Sequence, residues 1–155
     1  MKVDVCKKKQ SFLDWKKRVQ KRYIPGLSKI NSSIIIQYVL DMEAGKNVSG
    51  KSAKGEQSYS QLCNLAQHMI WIVKELESRG ITDLRECWWN ELPVIFLFSD
   101  MYRGSIPSKH DSYGEYARIF KSFWHWWMEV NRKEGRTILD ITGYLNWIEK
   151  LHDKE

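Results

Sequence analysis

The chain of 155 residues has little of what stiffens or cross-links a small protein: three prolines and three cysteines. Cys6, Cys63 and Cys87 are odd in number and none stands in a Cys-x-x-Cys pair, which excludes a disulfide framework and a zinc knuckle. Cys63 falls among apolar helical positions and reads as a small core residue. No apolar run approaches the ~20 residues needed to cross a bilayer. Met1 to Lys9 is charged and no apolar block follows it, so it does not read as a secretory signal, and a cytoplasmic location is expected. His68, His110, His125 and His152 are scattered, without His-Glu-x-x-His spacing or a His/Cys cluster, so neither a metal nor any other cofactor is expected. Gly45-Lys46-Asn47-Val48-Ser49-Gly50-Lys51-Ser52 matches the letters of a phosphate loop. A working phosphate loop follows a buried strand, and this one follows a helical pattern, so nucleotide hydrolysis is disfavoured.

What the chain has in quantity is aromatics and unevenly placed charge. Aromatic residues make up 13% of it, with eight Trp, enough for a substantial core. The net charge is +6. Residues 1–30 carry ten basic side chains (among them Lys16, Lys17, Lys21 and Arg22) against two acidic ones, a local +8, which leaves −2 for the other 125 residues. A local excess of this kind suits a polyanion, because neutralising phosphates releases counterions.

Hydrophobic periodicity predicts helices and no convincing strand. The first is expected over Ser11–Tyr23, capped by Ser11, with Phe12, Trp15, Val19 and Tyr23 on one face, and ended by Pro25-Gly26. A second runs from about Asn31 to Ala44 and closes at Gly45. Residues 46–57 read as a loop with Lys46, Lys51 and Lys54. A long helix follows over Ser58–Arg79, with Leu62, Leu65, Met69, Ile72 or Val73, and Leu76 facing inward and Gly80 at its end. Leu84 and Trp88 point inward from a short turn, and Trp89–Tyr102 is a buried helix that tolerates Pro93 in its first turn. Ser112–Lys133 is an aromatic helix, and Thr137–Leu151 a last short one. The expected fold is all-α, an irregular bundle of about five helices.

The run from Phe120 to Trp127 holds five aromatics in eight positions. An exposed stripe of this kind would stack on bases. Its spacing is that of a core face, and core packing is the favoured reading. The polar residues before it, Lys109, His110, Tyr113, Arg118 and Lys121, cluster at a helix start. Lys51, Ser52, Lys54, Ser58 and Ser60 do the same at the start of the long helix. Helix N-termini favour phosphate oxygens, so two such starts suit a clamp on a duplex backbone.

Three stretches carry a family resemblance: Ser52-x-Lys54-Gly55 through Ser58-Tyr59-x-x-x-Cys63; Gly80-Ile81-Thr82-Asp83-Leu84; and Tyr113-Gly114-Glu115-Tyr116-x-x-x-Phe120-Lys121-Ser122-Phe123-Trp124-x-Trp126. In this order they resemble the N-terminal core-binding, SAM-like domain of tyrosine recombinases of the phage-integrase family, in an archaeal flavour. The resemblance implies a helical domain forming half of a C-shaped clamp on double-stranded DNA, working beside other recombinase protomers in DNA integration or recombination. It implies a division into a flexible basic N-terminus (1–10), a DNA-binding helical core (11–135) and a terminal helix or linker (136–155) toward an absent catalytic domain. The family's catalytic signature includes His-x-x-Arg, and none of the four His is followed by it, so no catalytic residue is carried over and the chain itself is not expected to be an enzyme. The residues expected on DNA are Lys16, Lys17, Lys21, Arg22, Lys51, Ser52, Lys54, Ser58, Lys109, Tyr113, Arg118 and Lys121, with Gln61 and Asn64 as geometric candidates for base reading. The alternative expectation is a helical protein-interaction module whose basic face binds an acidic protein.

Overall fold

The computed structural model describes residues 2–20, 22–47, 58–88 and 90–153. Among them the protein is all-helical: α1 (Lys2–Arg18), α2 (Lys29–Ala44), α3 (Tyr59–Ser78), a 3-10 turn (Leu84–Trp88), α4 (Leu92–Tyr102), α5 (Tyr113–Lys133) and α6 (Thr142–Asp153). That is six α-helices where the sequence suggested about five.

The central element is α3, against which α1, α2, α4 and α5 all pack. Its inward stripe is the one its spacing predicts, with both Ile72 and Val73 fully buried. Ser58 caps it through a reciprocal pair: the Gln61 amide N–H donates to Ser58 Oγ, and the Ser58 amide N–H donates to Gln61 Oε1. At the end of α2, Gly45 takes φ 69, a left-handed conformation that glycine adopts without a Cβ clash. Pro93 sits in the first turn of α4, where its missing N–H costs nothing. The residues before Gly45 belong to α2 rather than to a strand, so the phosphate-loop letters lack the context they need.

Several boundaries differ from expectation. α1 begins at Lys2, so it takes in residues 2–10, and Ser11 is mid-helix rather than a cap. Lys and Gln are good helix formers, and Lys8, Lys9 and Gln10 are exposed, so no cap is needed at Ser11 to extend the helix. It also ends at Arg18, which leaves Tyr23 44% exposed, while Ile24 and Leu27 turn inward instead. α2 is capped by Ser28, not Asn31 or Ser32: the Asn31 amide N–H donates to Ser28 Oγ at 3.1 Å. Asn31 is fully buried and joins three segments. Its Oδ1 accepts from the Leu84 amide at 2.7 Å, and its Nδ2 donates to Glu77 Oε2 at 2.8 Å. α6 starts at Thr142, five residues later than expected, because Asp140 Oδ1 accepts from both the amide and the hydroxyl of Thr142. The extended segment before it is pinned by Trp124 Nε1, which donates to the Leu139 carbonyl at 3.0 Å.

The aromatic run is core. Phe120, Phe123 and Trp124 are fully buried, Trp126 and Trp127 nearly so. Tyr38 of α2 meets Phe123 and Trp126 edge-on, each at 5.2 Å between ring centroids. Such pairs add to the area term and fix the rotation of α5 about its axis.

Candidate functional site

Burying its aromatic face leaves α5 one polar strip. Arg118, Lys121, Ser122 and His125 lie at helical spacing along it and line a solvent-open groove of about 560 Å³. The α6 wall contributes Leu145, Asn146 and Glu149; α3 contributes Leu65; the end of α2 contributes Met42, with Asn47 just beyond it. Arg118 is exposed and takes part in none of the ion pairs among the described residues. Lys121 is held in place by a neutral partner, its Nζ donating to Asn146 Oδ1 at 2.6 Å. Among the described residues no carboxylate forms an ion pair with it. His125 Nε2 lies 3.7 Å from Asp140 Oδ2. Behind the strip lies the Tyr38 hydroxyl, fully buried and without a hydrogen bond of ordinary geometry. Burial pushes its pKa up to about 12, and the nearby Ser122 and Arg118 oppose that only weakly.

The basic residues named from the sequence have different fates. Lys109 is turned onto the protein: its Nζ lies 4.6 Å from the Trp71 ring and 5.0 Å from the Tyr116 ring, and donates to the Tyr116 hydroxyl at 3.2 Å. Tyr113 is 4% exposed, and its hydroxyl donates to the Leu145 carbonyl, so it serves the packing of α6 on α5. Burial raises its pKa. Lys16 pairs with Glu43 at 2.9 Å, which neutralises it locally. Lys17 is exposed, and Arg22, also exposed, donates to Gln37 Oε1 at 3.2 Å from a backbone at φ 59. Ser58 is occupied as a cap. Lys21, Lys51, Ser52 and Lys54 lie outside the described residues.

The two candidate base readers carry internal hydrogen bonds. Gln61 completes the Ser58 cap, and Asn64 Nδ2 donates to Glu115 Oε1 at 2.8 Å. That bond holds the Glu115 carboxyl below the usual carboxylate range against a small opposing cost of burial, with His68 and Arg118 adding to it. Beside them Lys8, Ser60, Gln61, Asn64 and Gln67 line a shallow depression of about 170 Å³ between α1 and α3.

Arg118, Lys121 and Tyr113 are thus the predicted residues that the fold brings together in one groove, Tyr113 as part of its buried wall. His125, Asn146 and Asn47 line it with them and are not among the site residues expected from the sequence. For His125 the signal was present, since it stands seven residues after Arg118 and four after Lys121. Asn47 and Asn146 reach the groove only through tertiary packing. Among the described residues no group of three or more His, Cys, Asp or Glu is placed to hold a metal ion, and no helix is long and apolar enough to cross a membrane. No family model, curated protein or solved structure matches the chain.

Proposed function

We propose that the chain binds duplex DNA through its phosphate backbone, as the helical part of a tyrosine-recombinase-like clamp that works beside other protomers. One observation carries this reading. Arg118 and Lys121, neither in an ion pair with a carboxylate among the described residues, lie at helical spacing and share one solvent-open groove with the polar side chains of Asn47 and Asn146. Guanidinium forks and ammonium groups of this kind position a phosphodiester without reading sequence. The local +8 of residues 1–30 adds diffuse attraction. With half a clamp the affinity is expected to be weak, on the order of micromolar at moderate salt.

The test is a titration of labelled duplex DNA at several salt concentrations. The log of the binding constant should fall linearly with the log of salt, with a slope of about −0.9 for each phosphate neutralised. Absence of binding at the lowest salt sinks the reading. Capture of an acidic polypeptide without capture of duplex would place the chain among protein-interaction modules instead.

A further inference from the structure

The last helix is apolar on two sides. Leu145 and Ile148, with Ile141 just before the helix, face the bundle and are buried. The flank next to it is apolar and bare: Tyr144 is 37% exposed, Trp147 70% and Leu151 60%, at positions i, i+3 and i+7, with Leu139 at 54% just before the helix. A tryptophan left this open on a helix whose other face is already packed is a contact surface rather than a loose end of the core.

We infer that this face of α6 pairs with the same face of a second copy of the chain, antiparallel, across a two-fold axis at Trp147. Three observations favour a second copy. The first is shape. Gly143 lies one turn before Trp147 on the same side, and a Cβ built on it meets nothing within 4 Å. In an antiparallel pair centred on Trp147, Leu151 of one copy stands at the level of Gly143 of the other, and Lys150 at the level of Tyr144. The bare glycine gives the two backbones room to approach, and each large side chain lies next to a complementary position. Self-complementarity of this kind is what a two-fold contact requires.

The second is charge. The positive excess of the chain sits in residues 1–30, whereas α6 carries Lys150 against Glu149 and Asp153. Glu149 lines the α5 groove and Asp153 accepts from the Tyr102 hydroxyl at 2.6 Å, so neither carboxylate lies on the apolar stripe. The stripe neither repels a copy of itself nor attracts a polyanion. The third is area. Aromatic side chains of this class carry roughly 150–250 Å² each, so the exposed parts of the four apolar residues come to several hundred Å² per copy. Doubled across the axis and with the polar rim included, that reaches the ~1,200 Å² at which specific pairs begin.

This pairing is independent of DNA, and its test is made without DNA. Sedimentation velocity of the chain, from on the order of 1 to 100 µM, should show a species of twice 18.5 kDa growing with concentration. Trp147→Lys should stay monomeric over the same range while keeping its helical circular dichroism. Gly143→Leu should weaken pairing at least tenfold by filling the notch, while Gly143→Ala should raise the melting temperature of the monomer and weaken pairing less. A wild-type chain monomeric at the highest concentration, or a Trp147→Lys chain that still pairs, overturns the proposal. Pairing untouched by Gly143→Leu overturns the antiparallel arrangement.

Discussion

The indole nitrogen of Trp126 donates to Asp41 Oδ2 across 2.8 Å inside the bundle, joining α5 to the last turn of α2. Asp41 is 6% exposed and also accepts from Gln37 Nε2 at 2.8 Å and Asn47 Nδ2 at 3.0 Å. One carboxylate thus holds the aromatic helix, its own helix and the residue that opens onto the α5 groove.

Removing Asp41 leaves the buried Trp126 N–H and two part-buried amide donors without this acceptor, and the buried one costs more than its hydrogen bond contributed. Asp41→Ala is expected to lower the free energy of unfolding by about 2–4 kcal/mol, read from a urea midpoint with unchanged slope. Trp126→Phe should disturb the Asp41 network less, because the other two donors remain, although it also alters packing. An Asp41→Ala midpoint equal to that of the wild type would contradict the role assigned to it.

The groove and the aromatic cage of Lys109 separate cleanly in a salt titration. Replacing Arg118 and Lys121 together by Ala should reduce the steepness of the log–log slope by about two, as should replacing Lys51 and Lys54. Lys109→Ala should leave the slope unchanged and destabilise the fold instead, by about 0.5–2 kcal/mol for the lost cation–π contacts. A slope that shifts with Lys109 and not with Arg118 and Lys121 would move the contact surface to the side of α5 that carries Tyr116.

Alkaline pH is a second lever on stability. Burial, aided by Glu86 and Asp83, pushes the Cys87 thiol up from 9.0 to about 12, and burial pushes the Tyr38 hydroxyl up from 10.0 to about 12. Both groups stay neutral in the fold at a pH where the unfolded chain has lost their protons. Their contribution is therefore complete below about pH 9 and is lost as pH rises toward 12, at up to ~1.4 kcal/mol per pH unit for each group. Melting temperatures should fall from pH 9 upward, and Cys87→Ala should flatten the first part of that fall. A wild-type profile level to pH 11 would show that these groups reach solvent. In the native chain at pH 8, Cys87 should resist a thiol reagent that labels it at once in urea.

Local signals in the sequence located most of the helices, because caps and periodicity act over a few residues. Ser58 with Gln61, Gly45 and Pro93 each do what their local chemistry dictates. The boundaries that differ from expectation have equally local causes: Ser28 rather than Asn31 caps α2, and Asp140 is the acceptor that delays α6 to Thr142. The long-range bonds were not legible. Nothing near Asn31 announces Leu84, and nothing near Trp126 announces Asp41. The same holds for the site. That Arg118 and Lys121 share a helix face follows from spacing, but that Asn47 and Asn146 complete the groove follows only from the packing of three helices. Lys109 looked like its neighbours in sequence and was separated from them by the Trp71 and Tyr116 rings.

The aromatic frame of α5 also bears on how this protein can change. Phe120, Phe123, Trp124, Trp126 and Trp127 are enclosed on every side, so almost any replacement there carries a heavy cost in stability. Arg118, Ser122 and His125, on the opposite side, are exposed, and surface replacements of that kind usually move stability by no more than about 0.5 kcal/mol. Variation is thereby channelled into a narrow strip whose position in space is invariant. A lineage could retune what this helix touches, one residue at a time, without renegotiating the fold that presents it.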